Sequence, residues 1–152
     1  MNESASSALA IDAIKDADIE PVVALWQRCG LTRPWNDPHA DITLARRRDN
    51  STILVGRNSG AIAATVMVGH DGHRGWVYYV AVDPDSRKRG YGRVIMAAAE
   101  DWLRGAGIAK LQLLVRRENA QANAFYASLG FEESTSVMFQ KWLDGRDPGR
   151  QQ

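Results

Sequence analysis

The apolar run Trp76–Val82 is the feature that most limits the folds open to this chain. All seven residues are aliphatic or aromatic, as expected of a strand buried on both faces of a sheet. A turn with Gly90 and Gly92 follows, then a helical pattern that ends near Gly105, then a second apolar run, Leu111–Val115. Strand, helix and strand in this order predict two neighbouring parallel strands. We therefore expect an α/β fold with Trp76–Val82 at the centre of its sheet.

Further elements are predicted on both sides of this unit. Thr52–Val55 and Ala61–Val68 are apolar and β-branched, and the Arg-Asn-Ser-Gly segment between them is typical of a hairpin turn. Helical spacing and turn residues predict the remaining elements, which are a helix over Ile19–Trp26 capped by Asp18, a short helix over Asp41–Arg48, a helix over Ala120–Leu129 and a last strand over Ser136–Trp142.

The length and composition are those of one globular domain. The 152 residues are 45% hydrophobic and 24% charged, and we expect a single domain over residues 9–143 with flexible ends at 1–8 and 144–152. A formal net charge of +1 argues against general binding to nucleic acid or membrane surfaces, because such affinity needs a large basic excess. Cys29 is the single cysteine and no signal-peptide pattern is present, so we expect a cytoplasmic protein.

The segment Asp83–Gly92 has the features of an anion-binding turn. The first N–H groups of the helix that follows have no partner within the helix, and the helix dipole favours negative charge there. Arg87, Lys88 and Arg89 add positive charge, and Gly90 allows a ligand to approach the backbone closely. A pyrophosphate would suit this turn, and a solvated turn with basic residues has the same pattern. The Gly-Lys-Ser/Thr sequence of nucleoside triphosphatases and the third glycine of dinucleotide-binding turns are both absent.

Two motifs, in this order, resemble the paired signatures of the GNAT superfamily of N-acetyltransferases. Arg87-Lys-Arg-Gly-Tyr-Gly92 is similar to Arg/Gln-x-x-Gly-x-Gly/Ala, and Asn119-Ala-Gln-Ala-Asn-Ala-Phe-Tyr-Ala-Ser-Leu-Gly-Phe131 is similar to Asn-x-x-Ala-x-x-x-Tyr-x-x-x-Gly-Phe. Arg28-Cys29, Arg33–Pro38 and Asp71–Gly75 look like segments of the small bacterial YpeA-type acetyltransferases. The resemblance implies the GNAT fold, a mixed central β-sheet of six to seven strands with about four helices and a splayed parallel pair at strands 4 and 5.

The same resemblance implies an enzyme that moves the acetyl group of acetyl-CoA to a primary amine, by direct attack in a ternary complex and without a metal. The backbone of Val80, Ala81 and Val82 would hold the pantetheine arm and the thioester carbonyl. Asn119 would hydrogen-bond that arm or a water, and Tyr126 would protonate the departing thiolate. Asn119 is equally a candidate helix cap, and Tyr126 a candidate packing residue. The residues implied for the pyrophosphate are Arg87, Lys88, Arg89, Gly90, Tyr91 and Gly92.

On the acceptor side, the resemblance points to the loop between the first two helices, which walls the acceptor site in the family. Trp35, Asn36 and Asp37 in this loop are candidates to bind an amine, together with Tyr78 on the central strand. The glutamate that many protein N-terminal acetyltransferases carry before the motif Asn is replaced here by Leu114.

The base that would deprotonate the acceptor therefore stays open, as does the acceptor. The family implies a small-molecule amine, a protein N-terminus or a lysine, and the missing glutamate also permits a catalytically silent acyl-CoA-binding regulator. A homodimer through the last strands is a further implication of the family. The candidate bases are Glu118, Asp83, His70 and His73, or a water ordered by Tyr78 or Tyr79.

Overall fold

The structure, a computed structural model, describes residues 8–146. Within this range the chain forms one five-stranded sheet and four α-helices. The strands are β1 (Ala10–Ala13), β2 (Ser51–Asn58), β3 (Ala61–His70), β4 (Gly75–Val82) and β5 (Leu111–Gln112). The helices are α1 (Ile19–Arg28), α2 (Pro38–Ala45), α3 (Tyr91–Gly105) and α4 (Ala120–Ser128), and short 3-10 helices cover Asp16–Asp18 and Pro84–Ser86.

The sheet is mixed, which confirms the expected α/β class. Strands β1 to β4 are antiparallel neighbours in chain order, and β5 pairs with β4 in parallel. The parallel pairing ends at Trp76 and Gln112, so Val77–Val82 of β4 has no β5 partner. This early parting of the two strands is the splay expected of strands 4 and 5, and it leaves one edge of Val77–Val82 without a strand partner in the described part of the chain.

The strand count differs from the expected six to seven. The prediction of a last strand over Ser136–Trp142 is wrong, since residues 131–146 contain neither helix nor strand. Alternating apolar residues form a strand only beside a neighbour that takes up the backbone hydrogen bonds, and no described strand pairs with this segment. β1 was not predicted, because Ala-Ile-Asp-Ala has weak strand propensity and depends on its pairing with β2.

The start of α2 also differs from the prediction. The helix begins at Pro38 rather than Asp41, and it ends at Ala45. The Asp37 carboxylate accepts hydrogen bonds from the backbone N–H groups of His39 at 3.0 Å and Ala40 at 3.3 Å. Proline suits the first helical position because no N–H partner is needed there, so this Asp-Pro pair starts the helix.

Helices cover both faces of the sheet. Trp26 of α1 and Ile42 of α2 are fully buried in one cluster with Val55 of β2. Successive strand residues face opposite sides, and a Cβ on Gly56 would lie 3.6 Å from Ile95 of α3. α3 therefore covers the face opposite α1 and α2.

The chain divides into two compact units between Leu113 and Leu114. The first contains the sheet and α1 to α3, and the second contains α4. Residues 1–7 and 147–152, which make up most of the ends expected to be flexible, lie outside the described residues. No helix within residues 8–146 has both the length and the apolar character that a membrane crossing requires.

Asp18 precedes α1 as predicted, but its side chain does not cap the helix. The carboxylate is 6% exposed and accepts hydrogen bonds from the Lys15 N–H at 2.9 Å and from Arg57 Nη2 at 2.7 Å. Burial by itself raises the pKa of the carboxyl, but the hydrogen bonds from Arg57 and Lys15 outweigh it and hold the pKa below its usual value. The Arg57 pair thus ties the segment before α1 to β2.

We expect Asp18→Asn to lower the free energy of unfolding at pH 7 by about 2 kcal/mol, because a buried, charge-assisted hydrogen bond is lost. A depressed carboxyl pKa stabilises the fold above the unfolded-state pKa of about 3.9, and that stabilisation disappears as the pH falls through the folded-state value. The difference between wild type and variant should therefore shrink below about pH 4. Urea unfolding at pH 7, 5, 4 and 3 measures it, with Asp16→Asn, an exposed carboxylate paired with Arg46, as the control. A difference that does not change with pH would contradict the pairing.

Candidate active site

The segment between β4 and α3 has the backbone shape and charge of an anion site. Asp83 accepts a hydrogen bond from the Asp85 N–H at 2.9 Å and so caps the short 3-10 helix that begins the segment. Lys88 (φ 68°) and Gly90 (φ 78°) adopt left-handed backbone conformations. Gly90 is the N-cap residue of α3 and supplies no capping side chain, which leaves this helix end for an external partner.

The predicted basic residues surround this helix end. Arg87, Lys88 and Arg89 are all exposed, and none of them forms an ion pair with another residue in the range 8–146. Three unpaired cations beside the positive end of a 15-residue helix attract negative charge from solution. The segment can therefore hold an anionic group such as a pyrophosphate.

A bulge interrupts β4 where the residues predicted to hold the thioester begin. Thr65 of β3 pairs with Ala81, and Met67 pairs with Tyr78. Tyr79 and Val80 of β4 thus lie opposite a single β3 residue, and Tyr79 has a φ of 52°. A left-handed backbone conformation at a non-glycine residue costs about 1–3 kcal/mol, so contacts with the surrounding residues must hold Tyr79 in it.

Contacts from three elements hold the bulge. The Tyr79 ring stacks on Trp26 of α1, with ring centroids 3.7 Å apart and planes 8° from parallel. Its hydroxyl donates a hydrogen bond to Oδ2 of Asp41 on α2 at 2.7 Å. The Thr65 hydroxyl donates to the Tyr79 carbonyl at 3.1 Å and accepts from Trp26 Nε1 at 2.9 Å. Burial, and then the Asp41 carboxylate, raise the pKa of the Tyr79 phenol, which keeps it a proton donor to Asp41.

A cavity of about 580 Å³ lies beside the bulge, within the first unit. Its size is in the range of small-molecule sites, and most of its walls are apolar or aromatic. The predicted residues Asn36 and Tyr78 line it. Trp35 and Asp37 do not, and Asp37 instead caps α2. The lining residues are Leu31, Asn36, Asp41, Leu44, Ala45, Ser51, Met67, Val68, Gly69, His70, Asp71, Trp76, Tyr78 and Tyr79.

Two candidate bases of the first unit, His70 and Asp83, already make hydrogen bonds within the protein. His70 lines the cavity, and its Nδ1 accepts a hydrogen bond from the Gly72 N–H at 3.0 Å. The neutral ring then carries its proton on Nε2, which makes that nitrogen a donor rather than a base. Asp83 is engaged by Arg28 Nη2 at 3.0 Å as well as by the Asp85 N–H. Within residues 8–146, no group of three or more His, Cys, Asp or Glu side chains is placed to hold a metal.

The second unit contains the two predicted residues of the Asn–Tyr motif. Asn119 Oδ1 accepts a hydrogen bond from the Ala122 N–H at 3.0 Å, so the capping alternative is confirmed, and its contact with a cofactor stays a prediction. Tyr126 is half-buried and packs edge-on against Phe125 and Phe131. Burial raises the pKa of its phenol, so Tyr126 is protonated at neutral pH, as a proton donor must be.

The residues that hold the bulge were not predicted from the sequence. Thr65 gave a signal, since it is a polar residue within the apolar run Ala61–Val68, and such a residue usually makes a buried hydrogen bond. Asp41 gave none, because its partner Tyr79 lies 38 positions away along the chain.

Solved structures of similar fold include N-acetyltransferases and a protein described as a transcriptional regulator from Bacillus halodurans. An aminoglycoside N-acetyltransferase in complex with CoA has a TM-score of 0.77 at 18% identity, covering 89% of this chain and 95% of that chain. The ribosomal-protein-S18-alanine N-acetyltransferase from Escherichia coli has a TM-score of 0.72 at 28% identity, covering 91% and 87%. The fold is thus that of the acyl-CoA-dependent N-acyltransferases, as the splayed strands and the basic turn indicate.

Sequence comparison defines the family. The family model described as acetyltransferase (GNAT) matches residues 14–131. An acetyltransferase from Yersinia enterocolitica is 40% identical over 133 residues, which is 88% of this chain and 94% of that protein. An uncharacterized N-acetyltransferase from Yersinia pestis is 40% identical over 126 residues, or 83% and 89%. The chain therefore belongs to the GNAT family, the acetyltransferases that take their acyl group from acyl-CoA.

We expect Thr65→Val to lower the free energy of unfolding by about 2–3 kcal/mol, because it leaves the buried Trp26 N–H without its partner and removes a hydrogen bond to the Tyr79 carbonyl. Thr43→Val is the matched control, since the Thr43 hydroxyl is exposed and bonds only to the His39 carbonyl within α2, and its effect should stay within about 0.5 kcal/mol. Urea denaturation of both variants gives the comparison. Equal losses would show that Thr65 does not hold the bulge.

Proposed function

We propose that this protein transfers the acetyl group of acetyl-CoA to a primary amine, by direct attack in a ternary complex. The observation that carries the proposal is the construction of β4. Its residues Trp76, Tyr78 and Tyr79 line a cavity of acceptor size, and its end leads directly into the basic turn. One strand thus joins a site for the acceptor to a site for the donor.

The donor is proposed to bind along the second half of β4. Past Trp76 the strand has no β5 partner, and a strand edge of this kind can hydrogen-bond the two amides of a pantetheine arm through Val80, Ala81 and Val82. The pyrophosphate would bind to the backbone and charges of Arg87–Gly92. A contact of Asn119 with the pantetheine arm, or with a water beside it, is part of the same proposal.

The reaction balances without a covalent enzyme intermediate. The neutral amine nitrogen attacks the thioester carbonyl, and a carbon–nitrogen bond forms while a backbone N–H of β4 stabilises the oxyanion. The carbon–sulfur bond then breaks, and the thiolate takes its proton from the phenol of Tyr126. The proton that the ammonium form of the acceptor must lose passes to a water or base before the attack.

The acceptor could be a small-molecule amine or a protein amine. A cavity of about 580 Å³ in the first unit, of the size of small-molecule sites, favours a small-molecule amine. The 28% identity to the S18-alanine enzyme favours a protein N-terminus, whereas Leu114 at the position of the family's glutamate argues against it. We propose the small-molecule acceptor, acted on by a single catalytic domain of residues 9–143 in the cytoplasm, with acetylation of a protein amine as the alternative. A homodimer stays a prediction from the family.

The first test is the thermal stability with acetyl-CoA. At about a hundred times its Kd, a ligand of the native state should raise the Tm by roughly 5–10 °C for a chain of this size. Replacing Arg87, Lys88 and Arg89 together by Gln should remove more than about half of this shift, because the phosphate contacts are lost. The control replaces Arg46, Arg47 and Arg48 by Gln, which changes the net charge equally and should leave the shift intact. Equal shifts in the two variants would show that the basic turn does not bind the donor.

A second test concerns the proton donor. Tyr126→Phe keeps the edge-on packing with Phe125 and Phe131 but removes the phenol. We expect kcat to fall by about 100-fold, with the KM for acetyl-CoA within about threefold of wild type, because only the protonation of the thiolate is affected. Release of the CoA thiol gives the rates, and an unchanged Tm shows that the fold is intact. Wild-type turnover would exclude Tyr126 as the acid, and failure of the wild-type enzyme to acetylate any amine would favour the acyl-CoA-binding regulator.

A further inference from the structure

The charges around the cavity restrict the kind of amine that fits it. Asp41 and Asp71 line the cavity, and neither forms an ion pair with any residue in the range 8–146. None of the described residues that line it is a lysine or an arginine. Two carboxylates without a cationic partner make the cavity favourable for a ligand that brings its own positive charge.

The two carboxylates are not equivalent. Asp71 Oδ1 accepts hydrogen bonds from the N–H groups of Arg74 at 2.8 Å and His73 at 2.9 Å, which hold the pKa of this carboxyl below its usual value, and the Trp76 indole is a further partner. Asp71 is thus a charged part of a hydrogen-bonded turn at the cavity wall. Asp41 Oδ2 accepts from the Tyr79 hydroxyl, whereas Asp41 Oδ1 accepts no hydrogen bond from the described residues. Asp41 therefore has an oxygen available for an ammonium group.

The rest of the cavity is suited to an apolar body. Leu44 is 63% exposed and Tyr78 is 48% exposed, although both are large hydrophobic residues. With Leu31, Met67 and Trp76 they form a wall that a ligand would cover. An apolar or aromatic ligand that covers this wall removes apolar surface from water, which favours its binding. A ligand with hydroxyl or peptide groups at the same place would lose their hydrogen bonds to water, which disfavours its binding.

We propose that the acceptor is a primary monoamine with an apolar or aromatic body and no carboxylate, and that Asp41 is the residue that selects its ammonium group. This inference rests on the proposed acetyltransferase function. The amine binds in its cationic form, which predominates at neutral pH, and it loses a proton before attack. A carboxylate on the ligand would face Asp41 or Asp71, and a polyamine sugar would place several charges and hydroxyls against an apolar wall.

The substrate test compares four acceptors at saturating acetyl-CoA: 2-phenylethylamine, L-phenylalanine, a peptide with an N-terminal alanine, and an aminoglycoside. The first two form a matched pair that differs only by the carboxylate. We expect kcat/KM for 2-phenylethylamine to exceed that for L-phenylalanine by about 100-fold or more, and to exceed the values for the other two. Preference for any of the other three acceptors would overturn the inference while leaving the acetyltransferase function standing. Binding of acetyl-CoA without acetylation of any of the four would overturn the inference, and failure to acetylate any other amine as well would overturn the acetyltransferase function.

The residue test uses Asp41→Asn, with Asp101→Asn, an exposed carboxylate of α3 paired with Arg104, as the matched control. We expect the KM for 2-phenylethylamine to rise by about tenfold or more in Asp41→Asn, and to stay at the wild-type value in the control. The neutral isostere 2-phenylethanol, used as a competitive inhibitor, separates charge from structure. Its inhibition constant should change by less than about threefold, since it has no ammonium for Asp41 to bind. Equal losses for the amine and the alcohol would show that Asp41 acts only through its bond to Tyr79.

Discussion

The Thr65 hydroxyl makes the hydrogen bonds on which the site depends. It accepts from the indole of Trp26 and donates to the carbonyl of Tyr79, and so connects α1, β3 and the bulge of β4 in one buried chain. The left-handed backbone conformation of Tyr79 is strained, and a regular strand would relieve that strain. The hydrogen bond from Thr65 stabilises the strained conformation. The stacking of Tyr79 on Trp26 and its bond to Asp41 act in the same direction. Strain at the bulge is thus balanced by contacts from elements that are far apart in the chain.

The bulge divides β4 into two parts with different environments. Before it, the strand pairs with β5 at Gly75 and Trp76, and Trp76 and Tyr78 line the cavity. From Val77 onward the strand has no β5 partner, and past the bulge it leads to the cluster Arg87, Lys88 and Arg89. The charges are also distributed unevenly, because carboxylates line the cavity and cations surround the turn. The formal net charge of +1 does not show this distribution. A cationic acceptor and an anionic donor would therefore each meet charge of the opposite sign at its own end of one strand.

The parts of the fold that depend on local signals were predicted well. The hairpin of β2 and β3, the apolar strand β4, the glycine turn and α3 each have a pattern within a short window of sequence, and the structure contains all of them. The expected position of β4 at the centre of the sheet is wrong, because β3 is the middle strand and β4 lies next to the edge strand β5. The errors fall where a local signal had a competitor or needed a distant partner. α2 begins at Pro38, with Asp37 as its cap, and not at Asp41. Asp18 bonds to Arg57 and does not cap α1. β1 is a strand only through its pairing with β2.

The sequence by itself determined the family and the basic turn, because motif residues at fixed spacing and three adjacent cations need no knowledge of distant contacts. It also offered Asn119 as a cap of α4, and this cap forms within four residues, as the Ala122 N–H donates to the Asn119 side chain. Only the tertiary structure decided which side chains share the cavity. Asp41 meets Tyr79 across 38 positions and Trp26 meets Thr65 across 39, and such pairings depend on how helices pack on the sheet, which no local pattern specifies.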